Sequence, residues 1–161
     1  MTICTKNRIH YFEQVIQGKM QLSEIGQIAD VCWQAIPNHF PFVKLGNHII
    51  MPNHVHGIII IDKMDDEQMV ETQNLAFLLQ ASSSTNTPKN KFGPQSQNLA
   101  SIVRGFKIGV TKSARRVQPD FTWQSRYHDH IIRNKKSFRN ISTYIANNPR
   151  KWQEDRFFAG G

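Results

Sequence analysis

Two histidines one residue apart, His54 and His56, stand near the head of the run Met51-Pro52-Asn53-His54-Val55-His56-Gly57-Ile58-Ile59-Ile60-Ile61. The isoleucines after a Pro-Asn pair predict a turn leading into a buried β-strand. Strand side chains alternate between faces, so both imidazoles point one way and Val55 the other. Ring nitrogens one pleat apart can grip a single divalent cation. The plainer alternative is two histidines on the half-exposed face of an ordinary strand, and what decides between them is whatever else faces the pair.

Near the other end of the chain, Tyr144 and Asn148 are four residues apart in a helical stretch, one turn above each other on one face. That face borders an apolar stripe and looks across the edge of the core towards the sheet. If His54, His56 and the Asn148 carbonyl oxygen hold Mg²⁺ or Mn²⁺, a phosphate oxygen is polarised and Tyr144 can attack phosphorus. A phenol with a pKa of about 10 is a poor nucleophile at neutral pH. The site must therefore stabilise charge on the phosphoryl oxygens and align the group for in-line attack. Against this stands a core aromatic whose hydroxyl merely reaches a partner at the rim. A second His-x-His, His128-Asp129-His130, competes for the cation, although Asp129 and the flanking Arg126 and Arg133 mark a polar edge strand.

The elements that must position these residues are legible in outline. Thr2 to Thr5 reads as a short strand, ending at Lys6-Asn7-Arg8. Leu22, Ile25, Ile28, Ala29 and Trp33 recur at helical spacing, with a start at Ser23-Glu24 and a stop at Pro37-Asn38. Phe42 to Ile50 predicts a hairpin turning at Gly46-Asn47, or a strand running on into the histidine motif. Leu99, Ile102, Val103, Phe106 and Val110 form a second helical stripe, with Arg104, Lys107 and Arg115 lying off it. Phe121 to Ile132 is extended. Ser137 is a cap for the last helix, whose buried stripe is Phe138, Ile141 and Ile145 and whose end is Asn147-Asn148-Pro149. Residues 62–97 change character: acidic at Asp65-Asp66-Glu67 and poor in apolar residues at 81–88, they predict a flexible insertion with a short helical piece at Leu75 to Leu79.

A chain of 161 residues suits a single domain. Its two cysteines, Cys4 and Cys32, make no disulfide framework and fit a reducing cytoplasm. The opening residues lack the apolar core of a signal peptide, and no segment reaches the roughly 18 apolar residues that a membrane helix needs. The net charge of +8 and pI of about 9.8 point to a polyanionic partner, nucleic acid first.

Met51 to Gly57 is similar to the histidine motif of single-tyrosine HUH transposases (the IS200-like family), and Tyr144-Ile145-Ala146-Asn147-Asn148-Pro149 resembles the tyrosine helix of their REP-associated members. Leu99 to Lys112, centred on Arg104-Gly105-Phe106-Lys107, looks like their middle helix. Trp123-Gln124 with Tyr127 to Asn134 looks like the segment that leads to the tyrosine, and Thr2 to Arg8 like the opening strand. These blocks cover the chain in order, outside the insertion. The resemblance implies an α+β, ferredoxin-like sandwich, with a central antiparallel sheet carrying the histidines and helices on one face. It implies metal-dependent nicking and rejoining of single-stranded DNA beside hairpin-forming repeats, through a 5′-phosphotyrosine. Tyr144 is then the nucleophile, with His54, His56 and Asn148 as ligands of Mg²⁺ or Mn²⁺. Arg104, Lys107, Arg115, Arg126 and Arg133 are candidate phosphate contacts, the chain is a homodimer or a monomer, and its place is the bacterial cytoplasm at the nucleoid. The rivals are a non-catalytic relative that binds DNA hairpins in regulation, and an RNA-binding domain of similar fold, for which the histidine strand lacks stacking aromatics.

Overall fold

The computed structural model describes residues 1–62, 98–155, 157 and 158. Apart from Asp62, the expected insertion at 62–97 and its helical piece at Leu75–Leu79 lie outside the described residues. Around them the chain forms an α+β structure on an antiparallel sheet.

The central sheet has three strands: β1 (Thr2–Cys4), β4 (Val43–Met51) and β5 (His54–Ile61), in the order β1-β5-β4. Pro52-Asn53 turns β4 directly into β5, so Met51 pairs with His54 and Ile49 with His56. On the other flank Thr2 pairs with His56 and Cys4 with His54. Gly46-Asn47 is not the hairpin turn: the register of β4 shifts between Leu45 and His48, which makes the pair a bulge within one long strand. Phe121–Ile132 does not complete a fourth ladder. It touches the β1 edge only through isolated bridges, Thr5 with Trp123 and Thr2 with His128.

One face of the sheet, carrying Ile3, Ile50 and Val55, is covered by α1 (Glu24–Gln34) and α3 (Leu99–Val117). Ser23 caps α1, its hydroxyl accepting from the Gly26 N–H at 3.0 Å while donating to the Tyr11 carbonyl at 2.8 Å. The chain continues past Pro37 into a short α2 (Ile36–His39), since proline is accommodated in a first turn. Asn98 and Ser101 form a reciprocal capping box at the start of α3. Trp33 is fully buried against Phe106, ring centroids 5.4 Å apart. It lies so close to Gly57 that a Cβ there would fall 2.1 Å from the indole Cζ2. Only glycine lets the strand of the histidines rest on this helix.

The opposite face carries His54, His56, Cys4 and Met51, and it too is covered. Trp152 and Phe157 pack on Cys4 and Met51, and α4 (Lys135–Asn147) places Tyr144 against His56. Helical cover therefore lies on both faces, not on one. Asn134, and not Ser137, caps α4: its Oδ1 accepts from the Ser137 N–H at 2.8 Å. Of the expected stripe only Ile145 is buried, while Phe138 is exposed, because the helix is seated by its C-terminal half. A hairpin of β2 (Glu13–Ile16) and β3 (Lys19–Leu22), absent from the sequence expectations, turns through Gln17 and Gly18, both at positive φ.

Candidate metal centre and its tyrosine

His54 is wholly buried and His56 nearly so. Their rings meet edge to face with centroids 4.5 Å apart, as neighbours on one pleated face must. Each Nδ1 is tied. The Asn53 amide donates to the Phe157 carbonyl at 2.8 Å. Its Oδ1 therefore faces His54 Nδ1, also at 2.8 Å. An amide oxygen only accepts, so His54 carries its proton on Nδ1 and offers the lone pair of Nε2 to a metal. His56 Nδ1 lies 2.8 Å from the Thr2 hydroxyl, which holds the second ring in place beside the first.

Tyr144 and Asn148 both reach this face. The Tyr144 ring centroid is 5.7 Å from that of His56, yet the residue is 50% exposed. With Asn140, Thr143, Asn147 and Lys151 it lines an open cleft. Asn148 is 2% exposed, at the junction of α4 with a 3-10 turn (Asn148–Glu154). Pro149 bars further α-helix, and this turn carries the chain back over the histidines to Asp155.

Asp155 is the residue the sequence expectations passed over. Its Oδ2 accepts from Tyr144 Oη at 3.4 Å and from Asn148 Nδ2 at 3.3 Å. Its Oδ1 accepts from the Phe157 N–H at 2.8 Å. His54, His56 and Asp155 each offer a ligand atom within 4.8 Å of the others, which makes them a candidate metal-holding group among the described residues. Neighbouring ligands bonded to one ion at about 2.1 Å each lie roughly 3.0–3.4 Å apart, so the three side chains would draw together around an ion. Asn148 Oδ1 is buried with no hydrogen-bond partner among the described residues. A buried carbonyl oxygen left over beside two imidazoles and a carboxylate suits an oxygen-seeking dication. The donor set fits a metal ion.

The other candidates fall elsewhere. His128 and His130 are both exposed and join no such group among the described residues. Lys107 Nζ donates to the carbonyls of Gln124, Ser125 and Arg126 at 2.6, 3.4 and 3.3 Å. Burial pushes its pKa down. Arg115 Nε donates to the Phe121 carbonyl at 3.2 Å. Both make contacts within the chain; Arg115, like Arg104, Arg126 and Arg133, is exposed. Among the described residues no helix is long and apolar enough to cross a membrane.

The chain is 42% identical over 159 residues to a protein of Haemophilus influenzae strain Rd named only "Uncharacterized protein", spanning 98% of this chain and 83% of that one. It is 26% identical over 149 residues to a second protein of that strain, named "Putative REP-associated tyrosine transposase", spanning 91% of this chain and 73% of the relative. No protein-family model and no solved structure matches.

Proposed function

The chain belongs to one family with the Haemophilus influenzae protein to which it is 42% identical, and from that premise we propose that it is a single-tyrosine HUH transposase of the REP-associated kind. It nicks and rejoins single-stranded DNA at hairpin-forming repeats through a covalent 5′-phosphotyrosine. The 26% identity to a relative named "Putative REP-associated tyrosine transposase" supports the transposase part of this reading. The observation that carries it is the half-exposed Tyr144, packed on His56 and sharing one carboxylate oxygen with Asn148. The antiparallel β1-β5-β4 sheet, with 123–128 bridged to its β1 edge, supports reading the fold as a ferredoxin-like sandwich.

His54 and His56 would hold Mg²⁺ or Mn²⁺ through Nε2, and Asn148 through Oδ1; the ion would supply charge stabilisation on the phosphoryl oxygens. Tyr144 Oη forms the bond to phosphorus as the P–O3′ bond breaks, leaving a 5′-phosphotyrosine and, once protonated, a 3′-hydroxyl. Asp155 Oδ2 accepts the phenolic hydrogen bond beforehand, and the phenol gives up this proton to solvent as its oxygen bonds to phosphorus. Lys151 and the amides of Asn140 and Asn147 line the Tyr144 cleft with groups suited to a phosphodiester backbone. Because the tyrosyl ester conserves the energy of the broken bond, a second 3′-hydroxyl can reverse the step without ATP.

The test is a labelled single-stranded hairpin oligonucleotide incubated with wild type and Tyr144→Phe. A covalent adduct that requires the metal and is absent from the variant is expected. Equal nicking by both proteins would replace the tyrosine with a metal-activated water. Stable hairpin binding with no cleavage by either would favour the regulatory relative.

A further inference from the structure

We propose that Asp155 is the anionic ligand of the metal centre, and that it admits Mg²⁺ to a site otherwise built for imidazole-seeking ions. Two neutral imidazoles and one carboxamide carry no net charge. A dication brought into a mostly buried pocket of that kind gives up its water with no counter-charge in return. Asp155 completes the His54, His56 group within 4.8 Å.

The carboxylate is also aimed by the frame that aims the first histidine. Phe157 N–H donates to Asp155 Oδ1 at 2.8 Å, and the Phe157 carbonyl accepts from Asn53 at 2.8 Å. The other end of the Asn53 amide fixes His54 at 2.8 Å. One backbone residue thus sets the direction of an imidazole on β5 and of a carboxylate more than ninety residues later in the chain. Such outer partners orient metal ligands and raise their basicity. The buried Asn148 Oδ1, with no partner among the described residues, is a second and independent sign that the pocket takes a cation.

Ligand chemistry then gives the specificity. Imidazoles suit zinc, iron and nickel, whereas Mg²⁺ takes oxygen ligands and is usually held through a carboxylate. With Asp155 the donors are two nitrogens and two oxygens, one of them charged. Without it, Mg²⁺ has only a neutral amide oxygen to bind.

The proposal rests on the metal-site part of the function proposed above and not on Tyr144, so its test contains no DNA. The metal-free full chain is titrated with Mn²⁺, free ion being read by electron paramagnetic resonance, and Mg²⁺ is then added as competitor. Wild type, Asp155→Asn and Asp155→Glu are compared, with circular dichroism verifying the fold of each. Asp155→Asn, which can still accept the Phe157 hydrogen bond, is expected to bind Mn²⁺ about ten-fold or more weakly, and Mg²⁺ should no longer displace it. Asp155→Glu should stay within a few-fold of wild type and keep the competition. Mn²⁺ binding and Mg²⁺ competition unchanged in Asp155→Asn would overturn the assignment. Binding lost equally in both variants would overturn it too, marking Asp155 as a prop for the C-terminal segment. A chain that binds metal as expected but forms no DNA adduct would leave Asp155 a ligand and remove the transposase chemistry instead.

Discussion

The same three-residue pattern occurs twice in this molecule, once in β5 and once in the segment bridged to the outer edge of β1, and only one copy is built as a site. His54-Val55-His56 lies in the central strand with both rings buried, both Nδ1 atoms held, and a tyrosine, an amide and a carboxylate closing over it. His128-Asp129-His130 lies outside β1 with both rings exposed. What separates the copies is neighbours and not spacing. The second copy still contributes through its backbone. Thr2 exchanges two hydrogen bonds with His128, at 2.7 and 2.9 Å, and its hydroxyl is the group that meets His56. The outer pair thus steadies the residue that steadies the inner one.

The most direct way to break this contrast is to remove one ring from each copy. His54→Ala is expected to lower Mn²⁺ affinity more than the about 10–100-fold that loss of an outer partner costs. His128→Ala should leave it within about two-fold, because its contribution is main-chain. Loss of metal only in the second variant would exchange the roles of the two pairs.

The contrast sharpens at the outer partners, which only the first pair possesses. Asn53→Ala removes the acceptor for His54 and the donor for Phe157 at once, and should cost about 10–100-fold in metal affinity. Thr2→Val deprives His56 of one bond and belongs at the lower end of that range. The same titration reads both.

A smaller effect would separate a brace from a candidate phosphate contact. Lys107 clamps Gln124–Arg126, immediately before the second pair, so Lys107→Met should lower thermal stability by about 1–2 kcal/mol. It should leave the salt dependence of hairpin binding unchanged. Arg104→Gln is expected to do the reverse, leaving the melting temperature alone and reducing the salt slope by about one.

The smallest effect concerns a third histidine. His10 Nε2 is buried with no hydrogen-bond partner among the described residues, and burial lowers its pKa below 6.5. The unfolded chain then binds more protons than the folded one as pH falls through that value, so His10 costs stability on the acid side and nothing above it. His10→Gln should flatten the fall in melting temperature between about pH 7 and 5.5.

What could be read from the chain beforehand followed periodicity. Alternation put His54 and His56 on one face with Val55 in the core, and the four-residue step put Tyr144 and Asn148 on one face of α4. Ser23 announced α1 as a cap should. Asp155 escaped because a 3-10 turn after Pro149, and no regular spacing, returns it to the histidines. Asn53 stands in the histidine motif, but its double hydrogen bond depends on Phe157, far along the chain. The β2–β3 hairpin escaped because its strands are largely exposed and Gln17 adopts a positive φ that glutamine seldom takes. Ser137 has the residue type of a cap, but it falls at the third helical position, where its N–H is the donor that the Asn134 side chain accepts.

The histidines head β5, and the strand ends at Ile61 with Asp62 paired to Lys44. At about 3.3 Å per residue, Asp62 lies roughly 26 Å from His54 along the strand. The chain re-enters at Asn98, the cap of α3 on the opposite face of the sheet. Both moorings of the intervening stretch are thus remote from the phenol and the imidazoles. The rim of the cation pocket is therefore built by α4 and the turn that follows it, not by either end of that stretch.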